Sequence, residues 1–301
     1  MRPVRFAYAR PRTAEEAVAE LRRHGPLARV VAGGQSLLPL MYQRRERPTA
    51  LVDLGSVDGL RSLRRDGDAL HIGATTTHRA IETATGPDLR GFEVLPEAAR
   101  QIAHLPVRVR GTFGGSLANA DPRAEWCLLA TLLGAEITAL GPDGVRGVPI
   151  GDFLLGDGRT ALGWDEILVG VRLPRPAPSA ALAEFGWQDG SLPVVAAATE
   201  VELAPDGSVT AVRAALSGVA DRPVLLAEAE RVLVGGGSGE QPLAAAARGL
   251  ADTLDPPSDA WASGAYRREL AAAVLLRSLR DSVSRATTSA LARTTSQEAS
   301  R

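Results

Sequence analysis

Ala32-Gly33-Gly34-Gln35-Ser36 and Thr112-Phe113-Gly114-Gly115-Ser116 are two short glycine-rich loops built on one pattern. In each, two adjacent glycines are closed by a serine, at a point where an extended segment gives way to a hydroxyl-rich turn. Without Cβ atoms, paired glycines let backbone N–H groups come within hydrogen-bond distance of an anion. Ser36, Thr112 and Ser116 add hydroxyl donors, so that together the loops can grip a diphosphate. The dinucleotide fingerprint G-x-G-x-x-G occurs at neither loop. A P-loop is excluded as well, because it ends in Gly-Lys and the chain has no lysine.

Working outward from the first loop, Thr13-Ala14-Glu15-Glu16 is a capping box. Ala14, Ala17, Val18 and Leu21 follow at helical spacing, and Gly25 stands where the helix would end. Residues 29–32 read as a strand feeding the loop, and residues 51–54 as another, which makes a small α/β lobe. Around the second loop, residues 60–64 and 69–73 read as a hairpin about Arg65-Asp66-Gly67-Asp68. Helices are predicted over 78–83, 95–103 and 124–133, and a strand over 135–140. This mixture lacks the regular alternation of a doubly wound sheet.

Pro174-Arg175-Pro176-Ala177-Pro178 marks the clearest boundary, since alternating prolines remove backbone donors and stiffen the chain. Beyond it, residues 194–203 and 209–218 form a hairpin about Pro205-Asp206-Gly207. Helices are predicted over 225–234, 243–254 and 266–283, giving an α+β unit. The Ser-, Thr- and Ala-rich end has little to bury and reads as a frayed tail.

The formal net charge of −1 comes from 34 basic and 35 acidic residues dispersed along the chain. That leaves no electrostatic footprint for nucleic acid or an anionic membrane. Every basic residue is arginine, so lysine Schiff-base chemistry is excluded. The single cysteine, Cys127, cannot hold a cluster needing four thiolates; any iron-sulfur centre must come from a partner. No signal peptide or membrane span is evident, and a cytoplasmic location is expected.

Four histidines, His24, His71, His78 and His104, lack metalloprotease spacing, and no metal site is expected. His78, at a helix start after three threonines, reads as locally hydrogen-bonded rather than catalytic. Downstream of the second loop, Asn119, Asp121 and Glu125 place an amide and two carboxylates beside the same site, where carboxylates suit ribose hydroxyls. For Asp121 two readings stand side by side, ribose contact and capping of the next helix.

The run from Val31 to Met41 and the run from Arg108 to Pro122 closely resemble the FAD-binding subunit of molybdenum hydroxylases, as in carbon monoxide dehydrogenase and bacterial xanthine dehydrogenases. The resemblance extends from about Arg5 to Leu279. It implies a para-cresol methylhydroxylase-type FAD fold, α+β overall. Two α/β lobes, 1–58 and 59–177, would be followed by a C-terminal α+β domain, 178–285, and a disordered tail, 286–301. By resemblance, Ala32, Gly33, Gly34, Gln35, Ser36 and Leu37, with Thr112, Gly114, Gly115 and Ser116, bind the diphosphate of FAD. Asn119 and Asp121 adjoin it, and Glu125 holds the adenosine ribose. Leu168 and Val169 lie near the isoalloxazine. Two departures stand out. Val109 replaces a common Asn, and where the family often presents an aromatic ring over the flavin, Leu192 is the positional match, with Trp187 nearby.

The resemblance further implies electron transfer from a partner's 2Fe-2S clusters through FAD to NAD, a quinone or dioxygen. The partners would be a 2Fe-2S small subunit and a molybdenum-cofactor large subunit, in a heterotrimer or its dimer. No side-chain catalyst is expected. A self-contained FAD oxidase or dehydrogenase of the same fold is one alternative, and a flavin-free scaffold another.

Overall fold

The structure, a computed structural model, describes residues 5–298, with side chains as far as Ser289. Its first unit is a parallel three-stranded sheet in the order Ala7–Ala9, Ala50–Asp53, Ala28–Val31. The helix Ala14–His24 covers it, held by the expected capping box and ended at Gly25, whose φ of 78° suits glycine. Ala17, Val18 and Leu21 on one helix face bury against Ala50, Val52 and Leu54.

The second unit is an antiparallel five-stranded sheet. Its strand Ile167–Leu173 inserts between Ala69–Gly73 and Glu136–Gly141, whose outer neighbours are Leu63–Asp66 and Gly144–Pro149. A partner from nearly 100 residues downstream cannot be read from local pattern. Its insertion fixes the site, because Ile167 packs into the core of the first unit while Leu168 packs into that of the second. The hairpin turn is the two-residue Gly67-Asp68, shorter than the sequence suggested, with Asp66 paired to Ala69 and Gly67 at φ 59°. The helix expected over 95–103 spans Val94–Gln101, and Ala103 follows with φ 46°.

The proline-rich connection is packed down rather than free. Ala177 N–H donates to Gly91 O, and Arg175 forks onto the buried carboxylate of Glu200 at 2.7 Å through each nitrogen. The C-terminal unit is a four-stranded antiparallel sheet, Ala181–Phe185, Val195–Leu203, Val209–Ser217 and Val224–Leu225. It is backed by the helices Glu240–Asp252 and Gly264–Glu298. Two expectations need correction. Residues 224–225 are strand, so that helix shrinks to Ala229–Leu233. The last helix continues through most of the expected disordered tail to Glu298, with Ala286 buried; residues 299–301 lie outside the described residues. Among the described residues, no helix is long and apolar enough to cross a membrane.

Candidate functional site

The two glycine loops meet. A Cβ on Gly33 would lie 2.2 Å from Arg110 O and 2.7 Å from Gly111 Cα, so the first loop is built in backbone contact with the shoulder of the second. Beneath them a crevice runs between the first two units, lined by Ala32, Ala74, Thr75, Gly114, Gly115 and Leu168 among others. Thr75, which sequence reasoning treated as a lead-in to a helix, is buried there.

The first loop leaves its donors open. Gly34 adopts φ 72°, and among the described residues no group accepts from the N–H of Gly33, Gly34, Gln35, Ser36 or Leu37. Successive N–H groups around a left-handed residue form an anion-binding concavity. The Gln35 amide folds back, its Nε2 donating to Gly33 O at 2.9 Å. Ser36 is exposed at the start of the helix Leu37–Tyr42 and makes no side-chain cap bond, which leaves its hydroxyl available.

At the second loop the donors are spent. Phe113 N–H donates to Thr76 O and Gly114 N–H to Ala74 O, at 2.9 and 3.0 Å. Gly115 N–H donates to Thr112 Oγ1 at 3.1 Å and Ser116 N–H to Thr112 O at 3.0 Å. Thr112 is therefore the N-cap of the helix Phe113–Asn119. Gly114 is needed for close packing, since a Cβ would meet Ala74 Cα and O at 2.7 Å. What this loop can still offer a ligand is the Ser116 hydroxyl and the proton of Thr112.

The polar residues beyond the second loop spread out. Asn119 is exposed, and Ala120 turns the chain at φ 51°. Asp121 accepts from Arg123 N–H at 3.0 Å and pairs with its guanidinium, while the helix Glu125–Leu133 starts from Ala124. Asp121 thus closes a turn and does not cap that helix. Glu125 is buried, outside the crevice lining, and faces Glu184 of the C-terminal sheet. Burial first, then Glu184 and Asp121, raise its carboxyl to about 8, and burial raises Glu184 to about 7.

Leu168 lines the crevice beside a bulge that frees Val169, whose carbonyl accepts from Ala74 N–H. Leu192 is 40% exposed on the 186–193 loop and is not part of the crevice lining. Trp187 is committed elsewhere: it stacks on Tyr266 at 6.0 Å and donates to Trp261 O. Val109 is exposed on the turn before the second loop. Sequence reasoning overlooked Trp126, fully buried behind that loop, whose Nε1–H donates to His78 Nδ1 at 2.9 Å.

Residues 4–176 match the family model of the FAD binding domain in molybdopterin dehydrogenase, and residues 180–282 that of the CO dehydrogenase flavoprotein C-terminal domain. The chain belongs to this flavoprotein family. It is 33% identical to the 6-hydroxypseudooxynicotine dehydrogenase complex subunit alpha of Paenarthrobacter nicotinovorans, over 95% of this chain and 97% of that protein. Identity to the carbon monoxide dehydrogenase medium chain of Afipia carboxidovorans is 34%, over 95% and 99%. The quinoline 2-oxidoreductase crystal structure from Pseudomonas putida 86 superposes with a TM-score of 0.90 at 36% identity, covering 95% of this chain and 99% of that one. The fold is thus the expected FAD-binding unit plus a C-terminal domain, and the protein is an oxidoreductase flavoprotein subunit whose cofactor is FAD. The open N–H run of the first loop fits the diphosphate such a cofactor carries.

Proposed function

We propose that this chain is the electron-transfer subunit of a molybdenum hydroxylase complex, taking electrons from a partner's 2Fe-2S clusters and delivering them to an acceptor such as NAD, a quinone or dioxygen. The partners in this reading are a 2Fe-2S small subunit and a molybdenum-cofactor large subunit, assembled in the cytoplasm as a heterotrimer or its dimer. Bound FAD supplies the redox chemistry, since a flavin exchanges electrons singly or in pairs.

The residues of this chain bind and enclose. The N–H groups of Gly33 to Leu37 take the diphosphate, with hydroxyls from Ser36, Thr112 and Ser116, while Gly114 keeps the second loop flat against Ala74 and Gly115 leaves room for the Thr112 cap. Ala32 opens the diphosphate loop, Leu168 and Val169 form an apolar wall for the ring system, and the 186–193 loop, with Leu192, covers it. Asn119 and Asp121 border the nucleotide end. Glu125 serves the ribose; protonated near neutral pH, its carboxyl donates as well as accepts. Lobes 1–58 and 59–177 form the clamp, closed by 178–285.

The observation that carries electron transfer over a self-contained oxidase is the chemistry of the crevice lining. Among the described residues its one titratable group is Glu166, and that carboxylate is already occupied: Arg146 forks onto it at 2.7 Å through each nitrogen and Gly163 N–H donates to it. The Arg146 contact holds its pKa below the usual carboxylate value. A tied carboxylate is a poor general base toward an organic substrate. Affinity purification of the native complex tests the reading. Two companion chains are expected, one carrying 2Fe-2S clusters and one molybdenum; a yellow chain that purifies alone and oxidises an organic substrate unaided would overturn it.

A further inference from the structure

We propose that His78 is a positioning residue for FAD, its imidazole supporting the Arg110-Gly111 shoulder on which the first loop is built. The inference rests on the reading that the first loop holds the diphosphate, and it concerns a residue outside that loop. Its basis is a column of contacts. Gly33 abuts the carbonyl of Arg110 and the Cα of Gly111. On its own side, Gly111 abuts the ring of His78: a Cβ there would lie 2.6 Å from Nε2 and 2.8 Å from Cδ2. The His78 N–H donates to Gly111 O at 2.9 Å, so ring and backbone of one residue grip the same glycine.

The far side of the imidazole is fixed by Trp126. Its indole N–H donates to His78 Nδ1, which makes Nδ1 the acceptor and places the proton of the neutral ring on Nε2. The same indole packs on Phe113 of the second loop, ring centres 4.9 Å apart. Trp126 thereby braces both the imidazole and the loop. Burial, and then the Arg108 guanidinium, push His78 down to about 4, so the ring is neutral at physiological pH. Arg108 is itself paired with Glu82, at 2.9 Å. As a cation the ring would turn a second N–H against the indole N–H, and the brace would fail.

Two substitutions divide the roles of the ring. Asn places an oxygen where Nδ1 stands and stops short of Gly111, whereas Gln reaches the Gly111 side and withdraws the acceptor from Trp126. For His78→Asn we expect a melting temperature within about 2 °C of the unaltered apoprotein. Its FAD dissociation constant should rise at least about tenfold. His78→Gln should melt lower yet bind FAD within about threefold. Trp126→Phe keeps the ring packing and removes the donor; nitrogen-15 spectra should then show the Nε2–H tautomer of His78 losing population, with weakened FAD binding. Unaltered FAD affinity in His78→Asn, or a loss matched by a fall in melting temperature, would overturn the proposal. If the Asn variant does not fold, an unchanged tautomer and FAD affinity in Trp126→Phe overturns it equally. Failure of the unaltered apoprotein to take up FAD would instead refute the reading of the first loop.

Discussion

The loops at residues 32–36 and 112–116 share a Gly-Gly pair and a closing serine, but their backbone amides meet opposite fates. From Gly33 to Leu37 the N–H groups have no acceptor among the described residues, whereas from Phe113 to Ser116 each is taken up by Thr76, Ala74 or Thr112. The difference follows from context. The first loop leaves the end of a parallel strand through a left-handed glycine, which keeps successive amides out of any backbone ladder. The second is strapped along the 74–78 segment and capped by its own threonine, so its donors are spent on holding shape. In the proposed function one loop is the receptor and the other its buttress. Similar glycine patterns therefore need not contribute similar binding groups.

Single substitutions separate the two roles. Gly33→Ala should have the largest effect, because its Cβ would fall 2.2 Å from a carbonyl oxygen with backbone on both sides. Its FAD dissociation constant, measured by flavin fluorescence quenching, should rise at least about 100-fold. Gly115→Ala meets a side chain, Thr112 Oγ1 at 2.6 Å, which can turn away at the cost of the cap; about a tenfold weakening is expected. Should Gly115→Ala prove the more damaging, the assignment of receptor and buttress would be reversed. Thr112→Val removes the cap acceptor and should lower stability by about 1 kcal/mol in urea unfolding. Its FAD dissociation constant should rise by about fivefold, since the hydroxyl offered to the diphosphate goes with the cap.

The smallest effect concerns the helix that carries Trp126. Glu125 ionises near 4.5 in the unfolded chain and near 8 when folded, and Glu184 near 7. The folded state therefore holds protons that the unfolded chain releases, and this contribution is lost as pH rises from about 4.5 to 8. Glu125→Gln should flatten that decline, so that the variant apoprotein melts above the unaltered one at pH 8 and close to it at pH 5. Equal slopes in thermal scans across the range would show that Glu125 is not buried as a neutral acid.

Much of this was legible in the sequence wherever the signal is local. The capping box at Thr13 and the hairpin about Asp206-Gly207 have fixed spacings that state their own geometry. The lobe junction was not legible, because Ile167–Leu173 joins partners far apart in the chain and no periodicity reports which strand sits between which. His78 was read as locally bonded, whereas its side-chain partner is Trp126, 48 residues away. Glu125 was read as lying beside the glycine-loop site; a single acid at a helix start gives no hint that Glu184 and burial surround it. The final helix outran its expected end because Ser, Thr and Ala can continue a helix already anchored by the buried face that ends in Ala286.

The division of labour between the loops is tested most directly by backbone amide spectra of the nitrogen-15-labelled apoprotein before and after FAD is added. The largest downfield proton shifts should fall on Gly33, Gly34, Gln35, Ser36 and Leu37, as free amides acquire a charged acceptor, with only minor changes at Gly114, Gly115 and Ser116. Large shifts at the second loop with residues 33–37 unmoved would contradict the account.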